Sequence, residues 1–73
     1  MGKKVNTFDV VDCNKALEEA GFSARLHMHD ACGGQYFSWQ EDQAGVRDLL
    51  KGFFAERGVA IGFVDGDDAF VVR

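Results

Sequence analysis

The chain has 73 residues, which form a single domain, residues 1–73, and leave no room for a second hydrophobic core. Hydrophobic residues make up 47% and proline is absent, a composition that favours a folded domain over a disordered chain. The net charge of -4, from 8 Lys and Arg against 12 Asp and Glu, disfavours binding to nucleic acid, which needs a concentrated cationic surface.

Membrane and redox signals are also weak. No apolar run approaches the roughly 20 residues of a membrane helix, and no signal-peptide pattern is visible. We therefore expect a cytoplasmic protein with no membrane partner. Cys13 and Cys32 are fewer cysteines than small disulfide scaffolds usually carry, so we expect two free thiols.

The first predicted element is a helix that begins near Asn6 or Thr7 and ends at Gly21. Asn and Thr are good N-cap residues, and glycine readily adopts the left-handed conformation after a helix. Apolar residues at i, i+3, i+7 and i+10 predict one buried stripe, formed by Val10, Cys13, Leu17 and Ala20.

A β-hairpin is predicted next. The segment 25–29 alternates at period two, which is typical of a half-buried strand, and 36–40 is its returning partner. The connection 30–34 contains a Gly-Gly pair, which favours a hairpin turn.

The second predicted helix has the strongest periodicity in the chain. Asp42 is its expected N-cap and Gly58 its end. We expect Phe53, on its apolar stripe, and Phe63, on a later strand, to be deeply buried. The stripe comprises Val46, Leu49, Leu50, Phe53 and Phe54, followed by Arg57.

A second hairpin follows, with strands at 59–64 and 69–73 around the acidic turn 65–68. The element order is therefore α-β-β-α-β-β, which is consistent with a duplicated αββ unit. We predict an α+β fold in which two helices pack on one face of a four-stranded, mostly antiparallel sheet.

Hairpin parity assigns each strand residue to one face of this sheet, because successive side chains point to opposite faces. If Asp65 pairs with Asp68, then Phe63 lies opposite Phe70. The predicted inner face carries Leu26, Met28, Phe37, Trp39, Ile61, Phe63, Phe70 and Val72. The predicted outer face carries Arg25, His27, His29, Tyr36, Ser38, Gln40, Ala60, Gly62, Val64, Ala69 and Val71.

The predicted outer face is polar in one half and small and apolar in the other. One interpretation is an ordinary solvated sheet face. The other is a surface for an unknown protein or small-molecule partner, because small residues let another molecule approach closely. A homodimer through the open sheet face is the simplest version of this second interpretation.

Side chains that can bind a metal or react as nucleophiles are concentrated around the first hairpin turn. Its residues form a candidate binding surface: His27, His29, Asp30, Cys32, Gly33, Gly34 and Gln35. Two histidines two residues apart on a strand project to the same side, so with Cys32 they are the candidate zinc ligands. An imidazolium beside Cys32 would instead lower the pKa of the thiol and raise its reactivity.

The simpler interpretation of this segment is a tight turn in which Asp30 and Gln35 bond the backbone of the hairpin itself. Zinc sites usually combine two clusters of two ligands, and only one cluster is present. We therefore predict no cofactor, with zinc at His27, His29 and Cys32 as the alternative.

The segment from His29 to Gln35, His-Asp-Ala-Cys-Gly-Gly-Gln, resembles the RDAC family of small bacterial proteins, named for an Arg-Asp-Ala-Cys motif. In that family a histidine precedes the motif, Gly-Gly-Gln follows it, and a helix like 50–57 precedes a final hairpin. The resemblance covers most of the chain, from the first helix to Arg73. His29 stands where the family has arginine, so a role that needs a permanent charge beside Asp30 does not carry over. The resemblance implies no activity.

The sequence favours a binding or accessory module over a self-sufficient enzyme. A chain of 73 residues with one shallow polar face offers little depth in which to exclude water from a substrate. A small metal- or thiol-dependent protein centred on His27, His29 and Cys32 is the alternative function.

Overall fold

The element order is α-β-β-α-β-β, as predicted, in a computed structural model that describes residues 5–31 and 34–73. Its four strands form one antiparallel sheet in the order β1-β2-β4-β3, which confirms the α+β class. No helix in these two ranges is long and apolar enough to cross a membrane. The elements are α1 (Thr7–Glu19), β1 (Leu26–Ala31), β2 (Gly34–Trp39), α2 (Val46–Glu56), β3 (Ile61–Phe63) and β4 (Ala69–Val72).

Helix α1 begins and ends where the sequence predicts. Asn6 is the N-cap: its side chain accepts a hydrogen bond from the Asp9 amide, and the Asp9 carboxylate accepts one from the Asn6 amide. This reciprocal capping box satisfies two amides that the helix leaves without partners. Gly21 has φ +87°, the left-handed conformation that favours glycine. One detail of the predicted stripe is wrong, because Ala20 is the exposed C-cap residue.

Helix α2 begins differently from the prediction. Its N-cap is Gly45, with φ +99° and no capping side chain, so Asp42 is not the cap. The Asp42 carboxylate instead accepts a hydrogen bond of 2.8 Å from the indole Nε1 of Trp39. A buried indole N–H needs an acceptor, and Asp42 is close enough to supply it. The helix ends at Glu56, two residues after the buried Phe54, and Gly58, the predicted end, follows the C-cap Arg57 with φ +75°.

The strand register confirms the predicted faces for the paired residues, whereas Arg25 and Gln40, predicted on the outer face, lie outside the strands. In the first hairpin Leu26 pairs with Trp39 and Met28 with Phe37, and in the second Phe63 pairs with Phe70. The two αββ halves meet at the sheet centre, where β2 pairs with β4. Both helices cover the same face of the sheet, since their apolar side chains join the inner-face residues in one core.

The centre of this core is aromatic. Phe37, Phe54 and Phe70 are fully buried, and the rings of Phe37 and Phe70 stack with centroids 4.9 Å apart. The expectation of deep burial for Phe53 and Phe63 is wrong, because both are only partly buried at the border of the core. Phe54 occupies the central position because the rotation of α2 about its axis points this ring at the sheet.

Asn14 connects α1 to the edge of the sheet through two hydrogen bonds. Its side-chain Oδ1 accepts a hydrogen bond of 2.6 Å from the Leu26 amide, and its Nδ2 donates one of 3.2 Å to the Leu26 carbonyl. One side-chain amide thus occupies both backbone groups of the first residue of β1. Helix α1 is therefore held beside this end of the edge strand.

Candidate binding surface

The face of the sheet that the helices leave uncovered is called the outer face below. The register places His29, Tyr36, Val71 and Gly62 in one row across the four strands. His27, Ser38 and Ala69 form the next row. Backbone bonds from Arg73 to Ala60 and from Val64 to Ala69 extend the ladder at both ends. The outer face comprises His27, His29, Tyr36, Ser38, Ala60, Gly62, Val64, Ala69, Val71 and Arg73.

His29 is the best-connected side chain of the polar half. Its Nε2 shares a hydrogen bond of 2.9 Å with the Ser38 hydroxyl, and its ring lies 5.5 Å from that of Tyr36, tilted by 50°. A histidine within hydrogen-bond reach of a serine is the pair from which activated nucleophiles are built. Such a pair also needs a group that orients the imidazole, and the described residues give His29 no carboxylate partner.

His27 and His29 are both exposed and lie on the same side of β1. A shared side of the strand is what the metal-site prediction requires of these two histidines, and the site itself stays a prediction. Cys32, the third predicted ligand, lies outside the residues that the structure describes, as does Gly33. Among residues 5–31 and 34–73, no group of three or more His, Cys, Asp and Glu side chains could hold a metal ion.

The rest of the predicted turn is shorter than expected. Ala31 pairs with Gly34, so both strands extend further and only positions 32 and 33 connect them. Asp30 pairs with Gln35 within the ladder. The predicted connection 30–34 is therefore too long by three residues, because the strands continue pairing towards the glycines.

Gln35 has a partner that the sequence does not suggest. Its Oε1 accepts a hydrogen bond of 2.9 Å from the Val5 amide, and its Nε2 donates one of 2.6 Å to the Val5 carbonyl. The expectation that Gln35 bonds the backbone of its own hairpin is wrong. This amide instead holds Val5, which is 2% exposed, against the core.

Cys13 lies in the core, as predicted, and is a free thiol. Burial raises the pKa of Cys13 to about 12, against a smaller lowering by the Arg57 guanidinium. A thiol with so high a pKa is almost entirely protonated at neutral pH, and the thiolate is the reactive form. Cys13 is therefore a structural residue.

Arg73 is the residue of this surface that the sequence analysis missed. A Cβ placed on Gly62 would overlap its guanidinium, with Cζ 2.8 Å away, so the Arg73 side chain lies across Gly62. The parity of β4 could have identified it, because Arg73 is two residues beyond Val71. Gly62 is consequently covered, and Val71, 37% exposed, is the accessible apolar residue at the centre of the outer face.

None of the family models, curated proteins or solved structures compared with this chain matches it. Membership of the RDAC family therefore stays a prediction from the motif at His29–Gln35.

Proposed function

We propose that the chain is a small cytoplasmic binding or accessory module that uses the outer face and the neighbouring Cys32 turn, and that its ligand is an acidic segment of a partner protein. The observation that carries the proposal is the charge of this face. The sequence holds 12 Asp and Glu, yet none of them occupies an outer-face position.

The pairing of the arginines supports an anionic ligand. Arg25 bonds Glu18, Arg47 bonds Asp68, and Arg57 bonds Asp9 and Asp12. Arg73 alone has no carboxylate within ion-pairing distance among the residues with described positions. An exposed guanidinium without a partner is suited to a carboxylate, which it can bind through two parallel hydrogen bonds.

The width of the face favours a segment over a single ion. Neighbouring strands lie about 4.8 Å apart, so β1 and β3 at the two edges are separated by roughly 14 Å. The imidazoles of His27 and His29 lie at one edge, and the Arg73 guanidinium lies over Gly62 at the other. A ligand that touches both must extend over about four residues of extended chain.

The experiment is an NMR titration of the isotope-labelled protein with a synthetic oligoglutamate peptide. We expect the amide resonances of Val71 and Gly62 to shift, and the shifts to decrease with added salt because exposed charges are screened. Arg73→Glu removes the cation and should abolish the shifts. Lys15→Glu is the matched control: it makes the same change of charge at an exposed position of α1 and should leave them intact.

Two results would contradict the proposal. Shifts spread over both helices would indicate nonspecific charge binding. Equal shifts in the wild type and in Arg73→Glu would show that the Arg73 guanidinium does not contact the peptide.

The second candidate function is a small metal- or thiol-dependent protein centred on His27, His29 and Cys32. The observation that favours it is the shared side of β1 from which the two exposed histidines project. Neutral imidazoles and a thiolate are preferred zinc ligands, and a bound metal would withhold the thiolate from reagents. The thiol-labelling experiment in the Discussion separates this candidate from the binding module.

A further inference from the structure

Strand β1 is an edge of the sheet. The strand order β1-β2-β4-β3 leaves β1 with one neighbour, and its six residues make it the longer of the two edge strands. Natural edge strands are commonly protected from pairing by lysine, proline or a bulge. The sequence of β1, Leu-His-Met-His-Asp-Ala, contains neither lysine nor proline.

The hydrogen bonds at Leu26 fix which backbone groups of β1 point away from the sheet. The Leu26 amide bonds Asn14, and the amide of its partner Trp39 bonds the Asp68 carbonyl on the far side at 3.0 Å. Leu26 and Trp39 are therefore a non-hydrogen-bonded pair. Because such pairs alternate along an antiparallel ladder, Met28 and Asp30 also direct their amides and carbonyls outward.

These outward groups differ in what covers them. Asn14 occupies both backbone groups of Leu26 in the way a neighbouring strand would. The backbone groups of Met28 and Asp30 have no such partner among the residues that the structure places. Within the described residues, the edge is therefore closed at Leu26 and open at its next two outward residues, Met28 and Asp30.

We propose that a second copy of this chain pairs with the open part of β1 as an antiparallel strand, with the two-fold axis at His29. Met28 of each copy then lies opposite Asp30 of the other, and each of the two pairs makes two hydrogen bonds. The pairing is self-complementary, as a two-fold dimer requires. This inference does not rest on the proposed function, because it uses the edge of the sheet and not its outer face.

The alternative registers pair fewer of the outward backbone groups of β1. An axis at Met28 would place Asp30 opposite Leu26, whose backbone groups already bond Asn14. An axis at Asp30 would place Met28 opposite the hairpin connection and not opposite an outward residue of β1. Only the axis at His29 pairs all the open groups.

The contact between Asn14 and Leu26 is compatible with this arrangement. Asn14 holds the helix beside Leu26, at one end of the strand. A two-fold axis at His29 places Leu26 and Asn14 of the second copy at the opposite end of the paired strands, so the two Asn14 contacts stay clear of the four new hydrogen bonds. The eight strands would then form one continuous sheet.

Sedimentation equilibrium of the full chain, at concentrations up to about 1 mM, detects association with a Kd in the millimolar range or below. We expect the mass to double with concentration. Met28→Pro removes an outward donor while the ladder to β2 keeps its bonds, so it should leave a folded monomer. Ile61→Pro is the matched control, because Ile61 directs its amide outward on the other edge: Ala60 and Val64 both bond β4. This control should still dimerise.

Amide hydrogen exchange in the wild type provides a test that needs no variant. The amides of Met28 and Asp30 should exchange more slowly as the concentration rises, whereas those of Ile61 and Phe63 should not change. A monomeric mass throughout, with exchange independent of concentration, would overturn the proposal. So would a dimer that persists in folded Met28→Pro, since its interface would then lie elsewhere.

Discussion

Phe54 is the side chain whose removal should damage the fold most. It is fully buried, and its ring lies 5.4 Å from that of Phe70, 6.4 Å from Phe37 and 5.1 Å from Phe53. Replacing a buried phenylalanine with alanine costs about 3–5 kcal/mol, from lost apolar burial and from the cavity left behind. At about 0.05–0.15 kcal/mol per residue, a domain of this size is stable by only about 4–11 kcal/mol. Phe54→Ala should therefore remove about half of the stability.

The neighbouring Phe53 is an internal comparison. It lies on the same helix but is only partly buried, with the Arg57 guanidinium 4.4 Å from its ring centroid. Partial burial of a phenylalanine is worth about 1–2 kcal/mol, so Phe53→Ala should cost less than Phe54→Ala. Phe8, which is 80% exposed, is the surface control, and Phe8→Ala should stay within about 0.5 kcal/mol of the wild type.

Urea unfolding followed by the fluorescence of Trp39 measures all three variants. With a slope near 1 kcal/mol per molar urea for a small domain, the midpoint should fall by about 3 M or more for Phe54→Ala and by about 1–2 M for Phe53→Ala. If Phe54→Ala lacks a folded baseline, Phe54→Leu supplies a smaller loss that can be compared with Phe53→Leu. A larger loss at Phe53 than at Phe54 would refute the reasoning, because it would mean that α2 turns its other ring to the sheet.

Two further predictions concern the cysteines. Because burial raises the pKa of Cys13 from 9.0 to about 12, the unfolded chain releases this proton first, and stability should fall as the pH rises from 9 towards 12. Unfolding of Cys13→Ala over this pH range should lack that component, and an identical decline would contradict it. A thiol reagent should label Cys32 well before the buried Cys13 in the folded protein. If His29 activates Cys32, His29→Ala should slow the labelling of Cys32. If His27, His29 and Cys32 hold zinc, a chelator should accelerate the labelling. A labelling rate that changes neither with His29→Ala nor with the chelator would contradict the metal- or thiol-dependent candidate.

The faces of the sheet could be predicted from the sequence because the side-chain period of a strand is two. Once Phe63 is placed opposite Phe70, every other position of that hairpin follows, and a slip by one residue would expose the whole apolar set. The outer positions of His27 and His29 follow from the same parity. The limits of the strands are less constrained, since Asp30 and Gly34 can extend the ladder or belong to the turn without changing any face.

What the sequence did not reveal depends on contacts between distant segments. Gln35 binds Val5 across 30 positions, and no local pattern links the two. Aspartate is a residue type favoured at helix N-caps, but the Asp42 carboxylate accepts a hydrogen bond from the indole of Trp39 instead. Phe53 and Phe54 both belong to the apolar stripe of α2. Only the packing of the helix decides which ring reaches the centre.

The guanidinium that lies across Gly62 makes two positions of the chain interdependent during evolution. Any residue with a Cβ at position 62 must first displace the Arg73 side chain, because the two would occupy the same space. Contacting positions of this kind do not contribute additively. A lineage that keeps Arg73 can accept a side chain at position 62 if the flexible guanidinium swings away, whereas a short residue at position 73 leaves that space open. A substitution at position 62 should therefore also change where the cation of Arg73 lies on the outer face.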